Sequence, residues 1–232
     1  MAKRARSEQS DGFHDKKGRY VAISPDHLTA TRAGDTYDHG VCFSQKPLKL
    51  GDVFQLRINE MDTKWAGSLR LGVTTCSPDQ SSVNIVRAAT DLFSDDFQDF
   101  WILSGSRLHH GLSEKDYSLN LHSLKVDSRV GVQVTQSGDL VFYADGASMG
   151  AATCGLPTKK PIYCIFDIYG RTKVISKELF QAEKLEDVCK KRIKKLVKDE
   201  DLDKLFLPKC VVADIKRMNT LDLSRNVKFE EV

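Results

Sequence analysis

The chain has no two cysteines close together in sequence. Its six cysteines, Cys42, Cys76, Cys154, Cys164, Cys189 and Cys210, are scattered, and no C-x-x-C occurs. A zinc ribbon or a RING finger draws its ligands in close pairs, so neither is expected. No apolar run approaches the ~20 residues that a membrane helix requires. The opening residues, MAKRARSEQSDG, are basic but lack an apolar stretch, so no signal peptide is expected. The thiols are then expected free in a reducing compartment, the cytoplasm, with the nucleus as a second location. A Gly-rich phosphate loop, a G-x-S-x-G elbow and an H-E-x-x-H helix are missing too. The net charge of +3 is small, and composition alone does not suggest nucleic acid. The expectation is therefore no catalytic residue, no metal, no cofactor, and neither a membrane nor a nucleic-acid partner.

What is present fits one good-sized domain with an appendage in 232 residues. Residues 1–12 are charged and aperiodic and read as a disordered tail. Lys3-Arg4-Ala5-Arg6 suits a solvated tail better than a nuclear-import patch. Between residues 13 and 177 the pattern is strand-like. Val53 to Ile58 and Leu69 to Thr74 alternate with period two. Val41-Cys42-Phe43 and Phe100 to Leu103 are short apolar runs. Arg129 to Thr135 and Leu140 to Ala144 flank a Gln-Ser-Gly-Asp turn, and Asp145-Gly146 is a tight hairpin turn. Pro161 to Ile168 and Arg171 to Ser176 complete the set. Many short strands without βα alternation predict a mainly β fold, an antiparallel β-sandwich. Residues 79–128 are the least regular. Loops 59–67, 79–98 and 104–128 are the best candidates for recognition.

Residues 178–217 change character, and 218–232 form a C-terminal tail. Leu185, Val188, Cys189, Ile193 and Leu196 recur at steps of three and four, the signature of one helix face. Acids precede them and Lys190 to Lys198 follow, which suits the helix dipole. Leu202, Leu205, Phe206 and Leu207 make a second short apolar run, and Pro208 starts a third piece. Three short helices are predicted. They cannot form a core alone. On the stripe alone, an internal cap on the sandwich and a face turned to another protein are equal readings.

Cys42 lies near His39, as a nucleophile and base could, but sits in an apolar strand that suits an inert thiol. His109 and His110 point opposite ways if they share a strand, so a common metal is awkward. Asp95-Asp96 has nothing to bury it. Trp65 suits a packing anchor better than a stacking platform. The basic run Lys190 to Lys198 is interleaved with the apolar stripe and suits a solvated face.

Several phrases resemble the neuralized homology repeat, a β-sandwich used for protein recognition and similar in architecture to SPRY domains. They are Tyr37 to Ser44, Pro47-Leu48, Trp65 to Thr74 and Phe166 to Thr172. In the tail, Leu185-x-x-x-Cys189-x-x-x-Ile193 resembles the elongin C-binding motif of a SOCS box. Leu207-Pro208-x-x-Val211, about fourteen residues further on, resembles its cullin-binding half. Cys210 stands where that half often has a second Pro, and Lys184 stands where a small residue or Pro is usual. The resemblance implies a three-helix SOCS box and a non-catalytic, substrate-recognition subunit of a cullin-RING ubiquitin ligase. Elongin C, with elongin B, would be held by Leu185, Val188, Cys189 and Ile193. Cullin 5, in preference to cullin 2, would be held with its RING partner by Leu207, Pro208 and Val211. An unknown substrate protein would meet Trp65, Tyr37 and Arg70. The alternative is a non-ubiquitin scaffold whose C-terminal helices pack internally.

Overall fold

The computed structural model describes residues 11–33, 36, 38–79, 89–182 and 184–218. Expectations for residues 1–10, Tyr37, 80–88 and 219–232 lie outside the described residues. Strands are numbered by position in the chain. One sheet has the spatial order β1 (Phe13–Lys17), β4 (Val41–Ser44), β13 (Tyr163–Asp167), β6 (Arg70–Thr74), β7 (Phe100–Ser104), β8 (Arg107–His110) and β9 (Ser113–Asp116). The second runs β12 (Ala147–Thr153), β11 (Leu140–Ala144), β10 (Arg129–Val134), β5 (Val53–Met61), β14 (Thr172–Glu178), β3 (Thr29–Arg32) and β2 (Val21–Ile23). The pairings are antiparallel, for example Val132 opposite Phe54 and Leu71 opposite Phe166. The mainly β antiparallel sandwich is thus as expected.

The main core lies between the sheets. On β10, Val130, Val132 and Val134 point inward, while Arg129 and Gln133 remain partly exposed. That is the period-two pattern of a sheet with one wet face. Phe13, Phe54 and Phe166 meet with ring centroids 5.3–6.3 Å apart. The sheet containing β4, β6 and β7 is different, because both of its faces are covered. Val41, Phe43, Phe100, Ile102 and Ile165 form a second, outer core under Leu92, Phe93 and Phe97. The cover comes from short 3-10 turns at Ala89–Leu92 and Asp95–Phe97. Strands buried on two sides need apolar residues at every position, which explains the run Phe100-Trp101-Ile102-Leu103. In β6, Gly72 is required, since a Cβ there would collide with the carbonyl of Trp101.

Two expectations are corrected. Residues 104–128 are not simply a loop, because they contain the β8–β9 hairpin, with Leu108 opposite Lys115. Ser113-Glu114-Lys115-Asp116 is exposed throughout and has no apolar pattern to read. It is held by backbone pairing. Beyond it, Tyr117 Oη donates to the Gly150 carbonyl at 2.7 Å and Ser118 Oγ to the Met149 carbonyl at 3.1 Å. Those bonds satisfy carbonyls on the edge strand β12 and protect that edge. The second correction concerns the tail. It has two α-helices, α1 (Leu185–Leu196) and α2 (Lys209–Arg217), and not three. The middle run makes only a 3-10 turn at Leu202–Lys204. An acidic stretch before it and Pro208 after it leave too few residues to nucleate an α-helix.

Candidate protein-binding surfaces

The tail holds itself together with a small core. Leu202, Val212 and Ile215 are buried, with Ile193, Val197, Leu205, Leu207 and Val211 packed partly against them. Lys190 joins α1 to α2, meeting Glu186 at 2.7 Å and Asp214 at 2.9 Å. Its ammonium holds both carboxyls below their usual range. Lys194 meets Asp199 at 2.5 Å and Lys216 meets Asp203 at 2.6 Å. Much of the basic run is therefore engaged in ion pairs within the tail.

The other face of α1 is apolar and open. Leu185 is 77% exposed, Leu196 66% and Val188 43%, and Cys189 is exposed beside them. Phe206 stands fully in solvent. Of these, Cys189, Leu196 and Phe206 border a shallow groove of about 510 Å³ whose walls also include Arg192, Ile193 and Leu207. Of the residues expected to hold elongin C, Leu185, Val188 and Cys189 share this open face, while Ile193 is half-buried against the tail core. Of those expected to hold a cullin, Pro208 is exposed at the N-cap of α2. Leu207 and Val211 are half-buried in the tail core. The motif reading passed over Leu196 and Phe206 as contact residues. Leu196 was legible as the next member of the stripe. Phe206 carried no periodic signal.

The sandwich offers a second surface. At the end where β5 leads into β6, Asp62 N donates to the Arg171 carbonyl at 2.7 Å and Arg171 N to the Gly67 carbonyl at 3.3 Å. Arg171 Nη2 donates to the His122 carbonyl at 2.7 Å, and Leu121 N to the Gly105 carbonyl at 2.9 Å. Segments 62–69, 104–106, 117–128 and 168–171 are thereby brought together. The described part of 79–98 lies elsewhere, over the outer core. Trp65 is half-buried at the joined end. Arg70 is 9% exposed. Its Nη1 donates to Asp167 Oδ2 at 2.8 Å, its Nε to Ser104 Oγ at 3.2 Å, and its guanidinium lies 3.6 Å from the Tyr169 ring centroid. Arg70 therefore serves to fix Tyr169 and this end of the sheet. An internal pair of this kind is costly to break.

The remaining candidates have structural places. Cys42 is fully buried, and burial pushes its thiol pKa up, the reverse of what a nucleophile needs. His109 stacks on Phe93 at 4.0 Å and His110 on Trp101 at 4.6 Å, on opposite sides of the sheet. Among the described residues, no helix is long and apolar enough to cross a membrane.

Fold and tail together define a β-sandwich domain with a short helical appendage. The family model Neuralized matches residues 13–177, and the chain belongs to that family. Neuralized-like protein 2 of Mus musculus is 27% identical over 256 residues, covering 85% of this chain and 88% of the relative. E3 ubiquitin-protein ligase NEURL3 of Homo sapiens is 27% identical over 164 residues, covering 70% of this chain and 57% of the relative. The crystal structure of the Drosophila melanogaster neuralized NHR1 domain superposes with a TM-score of 0.61 at 21% identity, over 72% of this chain and 97% of that one. The fold is therefore that of a neuralized domain. The same names correct one expectation. The chain was read as a non-enzyme, yet relatives of this family are named E3 ubiquitin-protein ligases, which are enzymes. That expectation rested on the missing motifs for hydrolysis, phosphate chemistry and zinc and on the resemblance to a non-catalytic ligase subunit, and the relatives named as ligases overturn it.

Proposed function

We propose that this protein belongs to the E3 ubiquitin ligases as the recognition component of an elongin–cullin assembly. One observation carries the reading: the apolar face of α1 points away from the tail's own core and continues into Phe206. Exposed apolar side chains grouped in one patch favour a partner surface. In this reading Leu185, Val188, Cys189 and Ile193 enter elongin C, which brings elongin B. Leu207, Pro208 and Val211 border the site of cullin 5, in preference to cullin 2, with its RING partner. Residues 13–177 hold the target protein at the end bearing Trp65 and Tyr169, and 178–217 hold the ligase. Holding both raises the effective concentration of a target lysine near the charged ubiquitin carrier.

The magnitudes agree with this. Each fully buried Leu contributes roughly 1.5–3 kcal/mol, and a few such anchors dominate an interface. The competing reading, a scaffold with its helices packed internally, requires Leu185 and Leu196 to be covered, and they are exposed. The test is purification of the full chain from cells. Elongins B and C and a cullin co-purify with the wild type and are lost with Leu185→Glu, because an unpaired buried charge is far more costly than a lost contact. Absence of the elongins from the wild-type preparation would refute the reading.

A further inference from the structure

At the opposite end of the sandwich from the joined loops, a pocket of about 410 Å³ opens between the β4–β5 connection and the segment that leaves β14. Pro47, Leu48, Val53, Tyr143, Leu179 and Phe180 supply its apolar walls. Phe180 packs edge-on to Tyr143 at 5.0 Å, and Leu179 is 85% exposed. Three lysines, Lys46, Lys49 and Lys177, and two acids, Asp11 and Asp52, also line it, a surplus of one positive charge. Lys177 Nζ lies 4.8 Å from the Phe54 ring centroid and donates to the Glu178 carbonyl at 2.8 Å. Neither pocket acid forms an ion pair with Lys177: Asp11 is held by Lys46 at 3.3 Å and acts on Lys177 only from further off, and Asp52 stands exposed on the rim.

We propose that this pocket binds a second, peptide segment of the target protein, in addition to the contact at the Trp65 end, with one carboxylate on Lys177 and a neighbouring apolar side chain against Leu48, Tyr143 and Phe180. The word target rests on the ligase reading, whereas the binding itself does not. Single charge meets single charge here. A carboxylate matches the surplus of one positive charge left by Lys46, Lys49 and Lys177 against Asp11 and Asp52, which a phosphate dianion would exceed. Burial also holds the Lys177 pKa below its ordinary value. A desolvated ammonium gains most from an arriving anion. Because Leu179 and Phe180 form one wall, the occupant would also touch the connector that leads to α1.

The test uses the full chain and dye-labelled octapeptides read by fluorescence anisotropy. One probe is Ser-Gly-Ser-Gly-Ser-Leu-Asp-Gly with an amidated end, and a second replaces its Asp by Asn. A third ends in a free Leu carboxylate, a fourth is the third amidated, and a fifth replaces the Asp by phosphoserine. Saturable binding of the first or third is expected, weakened about tenfold by Asn or amidation. The first binding alone assigns a side-chain carboxylate, and the third alone a chain terminus. Lys177→Met keeps the stem over Phe54 and weakens binding about tenfold, and Lys177→Arg restores most of it. Leu179→Ser, at an exposed position, weakens binding about threefold and guards against a folding defect. No saturable binding, binding indifferent to Lys177→Met, or preference for phosphoserine would overturn the proposal. Elongin capture by the tail stays unchanged in Lys177→Met. Failure of elongin capture in the wild type would instead break the ligase reading and leave peptide binding standing.

Discussion

The sandwich and the tail treat apolar side chains in opposite ways. In the sandwich, sheet and cover bury residues on both sides, and Leu71, Ile102 and Phe166 are almost wholly enclosed. Among the described residues, the tail encloses Leu202, Val212 and Ile215 and leaves Leu185, Leu196 and Phe206 in water. A fold with a surplus of core can stand alone. A pair of helices around three buried residues stands close to the limit of stability, and its open face gains most from a partner.

The comparison can be broken first at the cores. Phe166→Ala should destabilise the sandwich by about 3–5 kcal/mol in urea unfolding, since a fully buried ring leaves a cavity between packed sheets. Leu202→Ala should cost about 2–5 kcal/mol locally. Hydrogen exchange should then show α1 and α2 unprotected while β5 and β10 keep their protection. Simultaneous loss in both regions would mean that tail and sandwich unfold as one unit. Thiols sharpen the contrast. An alkylating probe should label Cys189 and Cys210 in the native protein within minutes, along with the exposed Cys154, and spare Cys42 and Cys164. Burial pushes both spared thiols up in pKa, which removes the reactive thiolate.

Acid is where the two regions should behave alike, and this is the smallest effect. The Thr75 hydroxyl, with Lys160, holds Asp99 below the usual carboxylate value near 3.8. Lys190 does the same for Glu186 and Asp214 in the tail. A folded pKa below the unfolded one gives stability that is present above the unfolded value and lost as pH falls through the folded one. Melting temperature should therefore drop on going from pH 5 towards pH 2. Thr75→Val should flatten the part of that slope due to Asp99.

What could be read from the sequence follows from which side chains the structure asks to be apolar. The alternation read in Val53 to Ile58 belongs to β5, where Val53 and Arg57 stay partly exposed. Leu69 to Thr74 was also read as alternating, yet every residue of β6 is buried, and Phe100 to Leu103 was read as a short apolar run; nothing in either said that an outer core lay above. That cover is made of Leu92, Phe93 and Phe97 in 3-10 turns, which have no periodic signature. β9 is an exposed edge of polar residues and was invisible to pattern. In the tail, α1 was legible because its stripe and its charges agree. The acidic break and Pro208 were also visible, yet the run between them was read as a helix because its leucines recur. Arg70 was read as a contact residue for its place in the Trp65-to-Thr74 phrase. Only the cross-strand register with Asp167 shows it turned to an internal pair.

The central claim is that the open face of α1 is a docking surface and not an unfilled part of the fold. Titrating the purified full chain with purified elongin B–elongin C by calorimetry tests it directly. Saturable binding is expected, with a negative heat-capacity change from apolar burial. Leu185→Glu should abolish it without lowering the melting temperature, because Leu185 is already exposed. No heat from the wild-type chain, or a Leu185→Glu variant that binds as well as the wild type, would contradict the account.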